Sequence, residues 1–218
     1  MTIHSKPRAV VFDWDNTLVD SWQAIQHALN ATFRAYNLPE WSMDDVRTKV
    51  RKSTRDSFPA IFGDEWEAAS KLFYTQYEEI HADAIQPADG AAELLEYLVS
   101  QNIYLGVVSN KRGDYLRAEA NNLDWTKHFS CIVGALDAER DKPDPAPVFM
   151  TLAPGKVETG NDVWFVGDAD IDLTCGVNAG CTPVLIRPEK PKAGEFPENP
   201  PTFHFSSCRH LCNFLQTM

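Results

Sequence analysis

The chain has 218 residues, 44% of them hydrophobic and 23% charged, with a formal net charge of −11 from 20 Lys and Arg against 31 Asp and Glu. That length and composition fit an ordinary globular protein with one sizeable core, or a core with a modest insertion. The acidic balance argues against nucleic-acid binding through a basic surface, and no stretch approaches the roughly 18 apolar residues of a membrane span.

The amino-terminal stretch meets acidic residues too early for a secretory signal peptide. Five cysteines, an odd number without framework spacing, point to reduced thiols in a cytoplasm.

The first predicted element is a strand at 9–14, AVVFDW, apolar throughout until it meets Asp13. An amphipathic helix follows, with Trp22, Ile25, Leu29, Phe33 and Tyr36 on one stripe, and it must stop near Asn37-Leu38-Pro39. A second stripe runs through Leu72, Phe73, Tyr77 and Ile80, and Pro87 marks the end of this strand-free interval. A connection of that length is too long for a loop. It reads as a helical domain at 21–85 inserted into a core made of 1–20 and 86–218, with Asp20 and Ser21 at the hinge.

Beyond it, Ala91, Leu94, Leu95, Leu98 and Val99 keep helical spacing after Asp89-Gly90. Strands are predicted at 103–109, 131–135, 162–167 and 182–187, with helices at 112–121 and 171–179. The strands are near-continuously apolar and rich in Val and Ile, as strands covered on both faces are. Alternation with helices predicts an α/β fold: a Rossmann-like parallel sheet with helices on both faces and an inserted α-helical domain. A proline-rich loop over 187–201, a short strand in TFHF and a closing helix at 206–216 end the chain. Cys208 and Cys212, with His204 and His210 nearby, read as part-buried helix residues rather than half a metal site.

In a parallel sheet ligands bind beyond the carboxyl ends of the strands, and each predicted end carries polar residues. The first delivers Asp13 and Asp15, the second Ser109, Asn110 and Lys111, and the fourth Asp168, with Asp172 at the start of the next helix. Ahead of the fourth strand Lys142 stands in DKPDP. Carboxylates crowded together in a half-dry site need a positive partner: a metal ion, a lysine or both. A DxD pair, a Ser-Asn or a Lys-Pro is weak alone; their order and shared edge carry the signal.

That order resembles the haloacid dehalogenase superfamily of hydrolases, in its phosphatase branch with a helical cap, and most closely its phosphoglycolate-phosphatase-like subgroup. The matching motifs are DWDNT (13–17), SN (109–110), KPDP (142–145) and GDADID (167–172). The resemblance implies Asp13 as nucleophile, forming an aspartyl-phosphate, and Asp15 as general acid and then base. It implies Mg²⁺ held by Asp13, Asp168 and the Asp15 main-chain carbonyl, with Asp172 bound through water or bracing the others. Ser109 and Lys142 would grip the phosphoryl oxygens, and Thr17 and donors near Asn110 would assist.

The substrate implied is a small phosphorylated metabolite, with no nucleic acid or membrane partner; the chain would be a monomer or homodimer. Asn16 replaces a Gly common in helical-cap phosphatases, and Ala169 stands where Ser or Thr often follows; these bear on subgroup more than chemistry. Asp15 disfavours a dehalogenase and a phosphonatase, which lack it. A sugar phosphomutase keeps both aspartates and stays open, as does a catalytically silent binding protein. A signalling receiver would be shorter and uninterrupted.

The insertion concentrates Arg47, Lys49, Arg51, Lys52 and Arg55. Arg51 and Arg55, four apart, are expected to share a helical face and meet the substrate's non-reacting end. The plainer alternative is a solvated helix surface. Trp14 is expected to pack behind the acidic pair, and Trp22, Trp41, Trp66, Trp125 and Trp164 to pack as well. His27 and His81 receive no catalytic role.

Overall fold

A computed structural model describes residues 6–218, apart from the side chains of residues 81–84, so His81 lies outside the described side chains. In chain order the elements are β1 (Ala9–Phe12), β2 (Val19–Asp20), α1 (Trp22–Ala35), α2 (Met43–Lys49), α3 (Thr54–Phe62), α4 (Trp66–Ala84) and β3 (Gln86–Pro87). There follow α5 (Ala91–Ser100), β4 (Tyr104–Arg112), α6 (Gly113–Asn122), β5 (Cys131–Ala135), α7 (Ala146–Leu152), β6 (Val163–Gly167), α8 (Asp170–Asn178), β7 (Thr182–Ile186), β8 (Phe203–Phe205) and α9 (Cys208–Gln216). They form two compact units, Met1–Val19 with Pro87–Met218, and Asp20–Gln86.

The larger unit is a parallel six-stranded sheet in the order β5-β4-β1-β6-β7-β8. Its central strand, β1, sets Phe12 opposite Val107 on one side and Val166 on the other. All four β1 residues are buried, and Val11, Val108, Val133, Val148, Leu152 and Phe165 fill one of the layers against the sheet. Each such side chain removed from water contributes about 1.5–3 kcal/mol, which is why an apolar Val-rich run settles in the middle of the sheet. The alternating strands and helices and both-face coverage are those of a Rossmann-like α/β core.

Two strand ends differ from the sequence reading, and both differences shape the rim. β1 stops at Phe12 rather than at 14, because the chain turns at once. Asn16 takes a left-handed backbone (φ 61°), and the N–H groups of Leu18 and Val19 return to the Trp14 carbonyl. β4 runs on through Ser109-Asn110-Lys111 to Arg112, with a register irregularity between Val108 and Arg112. Residues expected beyond a strand thus sit in a bulged extension of it, a device that re-aims side chains.

Gly167 closes β6 where a Cβ would lie 2.3 Å from Asp172, so the small residue lets the start of α8 approach the strand. The segment 187–201 contains no helix or strand, as its prolines predicted.

In the smaller unit α1 packs along α4, as the two stripes predicted. Between them lie α2 and α3, which apolar periodicity did not reveal. The start of α2 is a capping box: Ser42 Oγ accepts from Asp45 N–H (3.1 Å), and the Asp45 carboxylate accepts from Ser42 N–H (3.1 Å). The helices meet through aromatic rings, with Phe33 4.9 Å from Trp41 and Phe58 5.8 Å from Phe73 between centroids.

The expected common face for Arg51 and Arg55 is corrected here. α2 ends at Lys49, Val50 is extended (ψ 105°), and α3 begins after Ser53, so Arg51 lies in the break and Arg55 on α3. A β-branched residue followed by a Ser N-cap separates the two helices.

Candidate active site

The site is assembled from four chain segments at the carboxyl edge of the sheet. Asp13 leaves β1 with its N–H on the Val166 carbonyl (2.8 Å), which ties it to the neighbouring strand. Ser109 is buried on β4, and its Oγ accepts from the Lys111 N–H (3.2 Å). Asp168 follows β6 directly, and Asp172 lies in the first turn of α8, where one of its oxygens accepts from Ala169 N–H (3.1 Å).

Lys142 reaches this edge from the loop before α7. Its ammonium donates to Asp13 Oδ1 (2.6 Å) and Asp172 Oδ1 (2.7 Å), and its side chain is 2% exposed. Asn110 braces that loop from β4: its Oδ1 accepts from Lys142 N–H (3.0 Å), and its Nδ2 donates to the Lys142 carbonyl (3.3 Å).

Electrostatics follow from this burial. Desolvation, helped by Asp172 and Asp15, pushes Asp13 up to about 7 against the pull of Lys142. Burial opposes the charge on Lys142, but the carboxylates of Asp13 and Asp172 outweigh it and hold the ammonium far above its usual range. One oxygen from each of Asp13, Asp168 and Asp172 can be chosen so that all lie within 4.8 Å of one another. Lys142 answers part of that negative charge, and the remainder is a set of hard oxygen donors suited to a divalent cation such as Mg²⁺. The Asp15 carboxylate lies outside this group.

A second buried lysine was named in the sequence but given no role. Lys111 donates to Asp15 Oδ1 (2.7 Å) and to both oxygens of Glu119 (2.8 and 2.6 Å). Glu119, 2% exposed, also accepts from the Trp14 indole N–H (2.7 Å). The sequence did carry a sign of it: Glu119 interrupts the buried face of α6 formed by Tyr115, Leu116 and Ala120.

The remaining expectations divide. Trp14 is buried behind the acidic pair, edge-on to Trp125 (5.9 Å); Trp125 and Trp164 are buried, while Trp22, Trp41 and Trp66 are half-buried. Thr17 is 1% exposed, and its Oγ1 has no hydrogen-bond partner among the described residues. Cys208 and Cys212 are buried, their thiols directed at the carbonyls of Thr17 and Glu93. Arg51 and Arg55 belong to the smaller unit, as does the exposed His27 on α1.

The parallel α/β core thus carries a DxD turn at the end of β1 with a buried lysine facing it, the arrangement that the resemblance implied. The family model for haloacid dehalogenase-like hydrolases matches residues 10–186, and the chain belongs to that family. It is 31% identical over 179 residues to a phosphoglycolate phosphatase of Aquifex aeolicus, covering 82% of this chain and 84% of the relative. It is 30% identical over 188 residues to an N-acetylmuramic acid 6-phosphate phosphatase of Pseudomonas aeruginosa, covering 83% of this chain and 81% of the relative. The solved structure of a haloacid dehalogenase-like family hydrolase from Streptococcus pneumoniae shares the fold, with a TM-score of 0.81 at 20% identity over 95% of this chain and 98% of that one.

Proposed function

We propose that this enzyme hydrolyses small phosphomonoesters, phosphoglycolate among the candidates, through an aspartyl-phosphate on Asp13. The observation that carries the reading is the convergence of Asp13, Asp168 and Asp172 on one another with Lys142 inserted at 2.6 Å from Asp13. The family membership and the phosphatase relatives support it.

In the first step an oxygen of Asp13 forms a bond to phosphorus, the ester P–O bond breaks, and the departing alkoxide takes a proton from Asp15. In the second, Asp15 as carboxylate takes a proton from water. The water oxygen bonds to phosphorus, and the acyl-phosphate bond breaks to free inorganic phosphate and Asp13. Lys142, and donors at Ser109 and Asn110, hold the phosphoryl oxygens as charge redistributes over them. Mg²⁺, when held by Asp13, Asp168 and the Asp15 carbonyl with Asp172 beside them, would supply charge neutralisation at the same oxygens. The helical unit, through Arg51 and Arg55, is the part we assign to selecting the substrate's non-reacting end.

Phosphate release from a panel of monoesters, in Mg²⁺ and in EDTA, tests the reading. Mg²⁺-dependent turnover that falls on the order of 10⁴-fold or more in Asp13→Asn is expected, the scale of losing a nucleophile. Wild-type protein that releases no phosphate from any ester, or Asp13→Asn that retains turnover, overturns it.

A further inference from the structure

Lys111 and Glu119 lie outside the four motifs, yet they form a buried network against the acidic turn. Each of the two residues following Asp13 is tied to this network. Trp14 gives its indole N–H to Glu119 (2.7 Å), and Asp15 takes the Lys111 ammonium on Oδ1 (2.7 Å). The side chains of Lys111 and Glu119 are 5% and 2% exposed, whereas that of Asp15 is 17% exposed. A water-shielded lysine that bonds both Asp15 and Glu119 has little rotational freedom left, so it fixes the plane and direction of Asp15, the part of this network that opens toward solvent. Lys111 takes Oδ1, and Oδ2 is the oxygen left to meet a leaving group.

The chemistry explains why two residues are needed. A lone buried ammonium beside Asp15 would be costly and would pull on it with full charge. Glu119 supplies the counter-charge, so Lys111 can act as a fixed donor. Glu119 in turn is pinned by Trp14, the residue between the two aspartates, so the network and the acidic turn set each other's position. Bond lengths of 2.6–2.8 Å between Lys111 and Glu119 are those of charge-assisted hydrogen bonds.

We propose that Lys111 and Glu119 are positioning residues that aim Asp15 at the leaving-group oxygen. The proposal rests on the reading of Asp15 as the general acid given above. A misaimed acid penalises only substrates whose leaving group needs a proton. An alkyl monoester needs one; 4-nitrophenyl phosphate, whose phenolate leaves readily, does not.

The test compares kcat/KM for the best alkyl monoester of the panel and for 4-nitrophenyl phosphate, in wild type, Asp15→Asn, Lys111→Met and the double variant Lys111→Met with Glu119→Gln. Lys111→Met is expected to lose about 10²-fold on the alkyl ester, the effect of roughly an ångström of misplacement, with little loss on the aryl ester. The double variant removes both buried charges, so its folding should be less disturbed than that of the single one. It should keep the same discrimination while its unfolding midpoint moves back toward wild type.

Equal losses on both esters in Lys111→Met and in the double variant, with Asp15→Asn still discriminating, overturn the positioning role alone. An Asp15→Asn variant that does not discriminate overturns the reading of Asp15, and the proposal with it.

Discussion

The carboxyl edge of the sheet and the helical unit both concentrate charge, yet they treat it in opposite ways. At the edge, Lys142 and Lys111 are almost fully buried, and each bridges two carboxylates drawn from distant parts of the chain. In the helical unit Lys49 pairs with Asp45 one turn away, and both side chains are more than a third exposed. Its ammonium also sits 4.9 Å from the Trp41 ring centroid, and the Arg47 guanidinium lies 6.0 Å from that of Trp22. Exposed pairs are screened and contribute little. Buried ones hold geometry and become expensive when one member is lost. The same residue types are therefore buried and cross-linked at the edge and solvated over much of α2.

The largest expected contrast comes from Lys142→Met. It leaves Asp13 and Asp172 facing each other without their counter-charge, at a cost of about 3–5 kcal/mol in urea unfolding of the ion-free protein, and turnover should disappear. Mg²⁺ should recover part of that stability and none of the activity. An unfolding midpoint equal to wild type would show that the buried pair does not carry the edge.

A smaller effect should appear in the pH dependence of ion-free stability. Asp13 is raised from 3.8 to about 7 in the folded chain, so between about pH 4 and 7 the native state holds a proton that the unfolded state has released. The Asp13 contribution is thus complete at low pH and is lost as pH rises through that window. A divalent cation competes with that proton, so the rise in thermal midpoint on adding Mg²⁺ should grow from pH 5 to pH 8. A shift independent of pH would separate the cation from Asp13.

The smallest change is expected in the helical unit. Ser42→Ala removes the hydroxyl half of the α2 capping box, at a cost of about 1 kcal/mol. Hydrolysis of 4-nitrophenyl phosphate should be unchanged, because the Ser42 hydroxyl is engaged within its own helix, with Asp45. A drop in that rate would show that the α2 cap serves turnover as well as the stability of its own helix.

The sequence by itself determined the layout of the core and the identity of the groups at its edge. Apolar runs rich in Val and Ile mark parallel strands, and the first polar residues after them must lie at the sheet edge, which is how Asp13, Ser109 and Asp168 could be read in advance. Local spacing also revealed α1 and α4, each long enough to show a stripe. It did not reveal α2 or α3, where a capping box and a mid-helix Pro59 replace apolar periodicity. Nor could it show that the break at Val50 separates Arg51 from Arg55.

Only the tertiary structure decided which charges meet. Lys142 is 129 residues from Asp13, and Lys111 is 96 from Asp15. Such pairs form because separate strands and helices deliver them to one edge, and the cost of leaving a charge buried alone then selects the partner. Motif order could place Asp13 and Asp15 at the edge, but the bonds of Lys111 to Asp15 and Glu119 required α6 to be laid against β4.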